Sequence, residues 1–235
     1  MSLKHLAPAV AALIVSTIAW ADQRPWVWTY GSAMMKPGEA ELEHYLTVQS
    51  PDWPNREANL KTTHQAELEI GMSDRLDAAV YQVFSRTPSA PLDWDGFKVR
   101  LRYQLLEDPD AFAHPILYLE HKNNSTLSET VWEAKLLLSQ TFGIVDLALN
   151  PVVELEEDET EFELAAGFSV PVLSHVRLGG ELRASEESLF LGPTLSHGGD
   201  GLWMALGAGW RVDEADPGDT THEIRLILGV NVKED

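Results

Sequence analysis

The chain has 235 residues, with 17 Lys and Arg against 37 Asp and Glu, and a formal net charge of −20. This acid excess excludes a nucleic-acid binder, which needs a basic surface. The absence of cysteine excludes thiol catalysis, cysteine-ligated metals and disulfide bracing, while leaving soluble and membrane forms open.

The first residues read as an export signal. Lys4 supplies a positive start, Leu6 to Ile18 is mostly apolar, and Ala19-Trp20-Ala21 places small residues where a signal peptidase reads them. Cleavage after Ala21 would make residues 1–21 a signal peptide. As a membrane anchor the run is too short for the ~20 residues of a spanning helix, and Pro8 interrupts it. No later stretch is continuously apolar, so a membrane crossing would have to be made by strands. Residues 22–39 form an aromatic N-terminal segment carrying Trp26, Trp28 and Tyr30. A packed aromatic strap is the expected arrangement, with a plug or a periplasmic partner site as alternatives.

From residue 40 to 235 one motif repeats: an alternating segment, a turn, another alternating segment. Neighbouring residues of a strand point to opposite faces, so each segment sorts into two sets. Ala66, Leu68, Ile70 and Met72 alternate with Gln65, Glu67, Glu69 and Gly71; Leu76, Ala78, Val80 and Phe84 with Asp77, Ala79, Tyr81 and Ser85. The cleanest case sets Phe97, Val99, Leu101, Tyr103 and Leu105 against Lys98, Arg100, Arg102 and Gln104. Trp132, Leu136 and Leu138 oppose Glu133 and Lys135, and Val145, Leu147, Leu149 and Val153 oppose Asp146, Asn150 and Glu154. Phe162, Leu164 and Phe168 oppose Glu161, Glu163 and Gly167; Val176, Leu178 and Leu182 oppose Arg177, Gly179, Glu181 and Arg183. Met204, Leu206 and Trp210 oppose Gly207, Gly209 and Arg211, and Ile224, Leu226, Leu228 and Val230 oppose Glu223, Arg225 and Gly229. A helical period would not separate the residue types in this way. With weaker segments near 40–49, 114–122 and 188–197, the count is twelve strands.

The expected fold is therefore all-β: an antiparallel up-and-down transmembrane β-barrel of about twelve strands. Three features favour it over a soluble periplasmic β-protein that binds a ligand. Charges of both signs on the polar face can pair across a lumen. Long links near 51–60, 87–94 and 213–220 fall on one side, short ones near 71–75, 142–143 and 171–174 on the other, with 106–113 an intermediate link on the short side. Aromatic residues mark two rims, Phe84, Phe97, Trp132, Phe162 and Trp210 at one and Tyr103, Phe142 and Phe168 at the other, as interfacial girdles do. In lipid an open sheet edge would strand its backbone polar groups, so such a sheet must close.

Three short stretches carry a resemblance: Pro37 to Thr47 (PGEAELEHYLT), Gly71 to Val80 (GMSDRLDAAV) and Leu191 to His197 (LGPTLSH). They resemble the outer-membrane β-barrels grouped as transporters, among them the phenol-degradation meta-pathway barrels. The resemblance implies residence in the outer membrane of a Gram-negative cell, contact with its lipid and with the barrel-assembly machinery, and passage of a small polar solute. Barrels of this kind end on an aromatic residue; here Val232 takes that place before Lys233-Glu234-Asp235.

The candidate solute path is the set of charges on the inward face: Glu67, Glu69, Lys98, Arg100, Arg102, Glu133, Lys135, Glu161, Glu163, Arg177, Glu181, Arg183, Arg211 and Arg225. Twelve strands lie between barrels filled by side chains and barrels that leave a channel, and filling is the favoured expectation because unpaired buried charge is costly. Replacing Arg100 or Arg102 is expected to change a small conductance. His44, His64, His114, His121, His175, His197 and His222 show no metal-site spacing, so no metal and no cofactor is assigned. A lipid-modifying enzyme remains the third reading. Ser174-His175 and Ser196-His197 are adjacent in sequence, which splits each pair across the wall, and no nucleophile elbow is present, so no catalytic residue is assigned.

Overall fold

The computed structural model describes residues 24–54, 59–108, 111–157, 159–199 and 201–232. The expected signal peptide and the last three residues lie outside that set. Twelve strands follow in order: β1 (Ala40–Ser50), β2 (Lys61–Ser73), β3 (Leu76–Arg86), β4 (Asp93–Gln104), β5 (Ile116–Asn124), β6 (Thr130–Phe142), β7 (Val145–Glu156), β8 (Glu159–Leu173), β9 (Val176–Ser185), β10 (Leu189–Gly198), β11 (Leu202–Arg211) and β12 (His222–Val232). Each pairs antiparallel with its sequence neighbours. The sheet closes where β1 meets β12, from Ala40 opposite Val232 to Ser50 opposite His222. Closure leaves no strand edge unpaired, the one sheet arrangement that satisfies its backbone inside hydrocarbon. Among the described residues no helix is long and apolar enough to cross a membrane.

The faces settle what kind of barrel this is. Val99 and Leu101 are 40% and 44% exposed, while Arg100 between them is 0% exposed. Glu67, Glu69 and Arg102 are also buried, whereas Leu147, Leu149, Leu164 and Leu206 stand outside. A soluble β-sandwich has the opposite polarity. Strands of 9 to 15 residues, tilted as in barrels, cover an apolar band of about 25 Å. Trp132, Phe162 and Trp210 lie exposed toward one rim, and Tyr103, Phe142 and Phe168 toward the other.

The end where β1 begins and β12 finishes is called the terminal end. Its links 74–75, 143–144, 174–175 and 199–201 are short, and 105–115 is the long exception. The far end carries the long links 51–60 and 212–221. Two features of the interior differ from expectation. The lumen is not uniformly ionic, since Ile116, Leu137, Ala205 and Ile227 point inward and are fully buried. The aromatic N-terminal segment takes the place of a plug, the alternative to the expected strap: residues 24–35 enter the lumen and bond to its inward wall groups.

Candidate functional site

The site is the lumen, and its first occupant is the chain's own N-terminal segment. That segment rises from Arg24 to Trp28 and returns to Lys36 at the terminal end. Glu181 of β9 holds its tip, accepting from the backbone N–H groups of Val27 (2.9 Å), Trp28 (2.9 Å) and Thr29 (2.6 Å). Asn150 of β7 accepts from the Tyr30 N–H and donates to the Tyr30 carbonyl. Ser139 accepts from the Ser32 N–H and donates to the Ser32 hydroxyl. Inward glycines make the room. A Cβ on Gly167 would lie 2.5 Å from the Trp26 ring, and one on Gly207 would lie 2.3 Å from Val27. Tyr30 and Met34 pack on Ile116, Tyr118 and Leu137, so one apolar patch of the lumen seats the returning arm, while Val27 and Trp28 pack on another with Ala205 and Ile227.

Beside the segment, β1 to β4 bring together an acid–arginine network. Arg100 pairs with Glu67 (2.8 Å) and Glu69 (2.6 Å), and Arg102 pairs with Asp77 (2.8 Å) and Glu69. The Arg100 guanidinium also donates to the Tyr81 hydroxyl at 2.7 Å. Arg24 donates to the Tyr45 hydroxyl (2.9 Å) and lies 3.6 Å from Glu43. The Tyr45 hydroxyl reaches both Glu43 and Glu67. One hydroxyl proton serves one acceptor, and the arginines beside the two carboxylates, Arg24 at Glu43 and Arg100 at Glu67, meet the other. The ligand atoms of Glu43, Glu67 and Glu69 lie within 4.8 Å of one another, the spacing of a cation cage. Arg24, Arg100 and Arg102 already neutralise them, so the cluster reads as an ion-pair network rather than a metal centre.

A second group lies on β4 to β7. Lys122 pairs with Glu133 (3.0 Å) and Glu154 (2.5 Å), Lys135 with Glu133 (2.9 Å), and Lys98 with Glu120 (3.4 Å). These residues, with Tyr45, Tyr81, Tyr118, Trp28, Glu163, Arg183 and Arg225, line a far-end cavity of about 240 Å³. A terminal-end cavity of about 430 Å³ is lined by Arg24, Trp26, Arg102, His114, Asp146 and Arg177. Tyr30 lines both, so the segment stands between two charged vestibules. The largest hollow, about 700 Å³, is on the apolar outer wall around Leu138, Phe142, Phe168 and Leu182 and does not belong to the path.

The remaining candidates separate. Arg177 pairs with Asp146 and donates to Ser169 at the terminal end (3.0 Å). Arg183 pairs with Glu223 (2.8 Å). Glu161 is exposed at the far rim. Arg211 leaves the lumen to stitch the far loops, binding Asp213 and Asp219 and the carbonyls of Glu187 and Glu214. Asp213 in turn accepts from the Leu189 N–H, and that bond, ahead of Arg211, holds its carboxyl below the ordinary range. Ser196 is buried inward, whereas the His197 ring faces His175. Sequence reasoning passed over Glu43, Tyr45, Glu120 and Lys122, because their strands alternate weakly and tyrosine inside a lumen looks like any aromatic.

No protein-family model and no curated protein matches the sequence. Solved structures do match the fold. A structure titled as the KdgM porin in complex with disordered oligogalacturonate aligns with a TM-score of 0.59 at 10% identity, covering 83% of this chain and 99% of that one. An outer-membrane channel from Pseudomonas putida F1 aligns with a TM-score of 0.59 at 10% identity, covering 85% and 97%. The NanC porin aligns at 0.55 and 9% identity, covering 82% and 100%. At such identities the likeness is one of architecture: the chain has the closed twelve-stranded fold shared with outer-membrane porins and channels.

Proposed function

We propose that this chain is an outer-membrane β-barrel that conducts small polar solutes, with its own N-terminal segment as the constriction. The supporting observation is the pair of charged cavities stacked in one lumen and meeting at Tyr30. An apolar exterior fits residence in a bilayer, with the short-link terminal end facing the periplasm and the far end facing outward. The porins and channels that share the fold are consistent with this reading. The three short stretches named above extend the proposal to kinship with the transporter-like barrels, and the assembly machinery and outer-membrane lipid are the proposed partners.

Arg100 and Arg102 are tied to the wall by their carboxylates, so removing them tests folding as much as conduction. The sharper test acts on the constriction. In planar bilayers the full mature chain is expected to give a small conductance, and deletion of residues 24–36 a several-fold larger one. Silence from both proteins, each shown folded by heat-modifiable gel migration, would sink the conduit and leave a purely structural barrel. Recovery of the protein in a spheroplast wash without detergent would remove the membrane assignment.

A further inference from the structure

In the far-end cavity one basic side chain lacks the carboxylate that its neighbours have. Of the five basic side chains lining it, Lys98, Lys122, Lys135 and Arg183 each have a carboxylate within ion-pair distance. Arg225 has none among the described residues. Its Nε donates to the Thr47 hydroxyl (2.9 Å) and its Nη1 to the Val27 carbonyl (3.2 Å), both neutral acceptors. Nη2 makes no hydrogen bond among the described residues. A guanidinium in a lumen has a strong, directional demand for an anion, and two parallel N–H groups match a carboxylate in particular.

The surroundings give that demand a shape. The Arg225 and Arg183 guanidinium carbons stand 5.5 Å and 5.6 Å from the Trp28 ring, so two cations lie over one indole at the tip of the N-terminal segment. Arg183 uses only Nη2, toward Glu223, and its other donors are free of protein partners among the described residues. Tyr45, on the strand next to Arg225, and Tyr81 and Tyr118 further round the wall also line the cavity. A volume of about 240 Å³ falls below the ~300–1,000 Å³ of sites for drug-sized ligands. Glu163 also lines the cavity and makes no ion pair among the described residues, and with only Arg225 unmatched among the basic side chains a second negative charge on the guest would find no partner.

We propose that Arg225, assisted by Arg183 beside Trp28, forms a binding site for a small organic monocarboxylate in the far-end vestibule. The inference deepens the conduit reading by naming the class of solute. Binding is measurable without transport, so the two can fail separately.

The test uses the full mature chain in detergent, titrated with propionate by isothermal calorimetry, with chloride and succinate as comparison anions. Saturable binding of one propionate per barrel is expected, stronger than chloride and stronger than the dianion. Arg225→Gln is expected to weaken it about tenfold or more, the loss of a charge-assisted contact. Because Arg225 also touches the Val27 carbonyl, Arg225→Lys serves as the partial-rescue variant: it keeps the charge but not the paired N–H fork, and its affinity should fall between wild type and the Gln variant. No saturable heat with propionate overturns the site. So does equal loss in the Lys and Gln variants, which would mean that Arg225 only positions the segment. Chloride binding as tightly as propionate overturns the carboxylate assignment. A barrel that binds propionate but stays silent in bilayers, with and without residues 24–36, would keep the site and lose the conduit.

Discussion

Arg102 shows at the level of one residue why inward charges stabilise this wall only as a set. Its guanidinium makes two bonds to Asp77, at 2.9 Å and 2.8 Å, and one to Glu69, all buried. Assembling such a network costs desolvation of every member, so its net contribution is modest. Removing one member is another matter, because the partners are left charged and dry. Arg102→Met should therefore destabilise the barrel by about 3–5 kcal/mol. The double variant Arg102→Met/Asp77→Leu should recover part of that loss, since the orphaned acid goes with its partner. Urea titration of the barrel in lipid vesicles, followed by gel migration, measures both. Equal stability of wild type and Arg102→Met would mean that water reaches Asp77 and Glu69 freely.

Among the elements, the strands were legible and the inner segment only as one alternative among three, for one physical reason. Alternation is a local code, and twelve repeats of it fix face, number and order, because each strand pairs with its sequence neighbour. The segment of residues 24–36 has no period to read, and its bonds run to residues more than a hundred positions away, such as Glu181 and Asn150. A trace of it was present nonetheless. Glycine on the inward face of β8 and β11, at Gly167 and Gly207, removes side chains where charges would otherwise fill the lumen, and an internal guest is one explanation for such a gap. The same logic placed Glu181 correctly on the inward face, though not as an anchor for three successive amides. Gly207→Leu should push Val27 out of its seat, since even a Cβ would stand 2.3 Å from it. The expected outcome is a higher and noisier single-channel conductance than wild type, with an unchanged folded band on gels. A conductance equal to wild type would show that the segment does not narrow the path.

For the whole molecule, the net charge of −20 has a location. The far rim exposes Asp93, Asp95, Glu129, Glu156, Glu157, Glu159, Glu161, Glu186, Glu187, Asp213, Glu214 and Asp216, while the lumen beneath them ties most of its charges into ion pairs and holds the unmatched Arg225. Two electrostatic regions therefore act in series, an acidic mouth that gathers cations and an interior step that favours an anion. Salt separates them. Near 0.01–0.1 M the screening length is about 10–30 Å, so the mouth's field covers the entrance and cations should carry more of the current. At about 1 M the length falls to roughly 3 Å, the rim charges no longer reach the axis, and half-buried Arg225 is screened less. Reversal potentials under a potassium chloride gradient should accordingly move toward anion preference as mean salt rises, and Arg225→Gln should flatten that movement at its high-salt end. A selectivity that stays constant across this range would mean that ions do not pass both regions, and would count against a path that runs through the lumen.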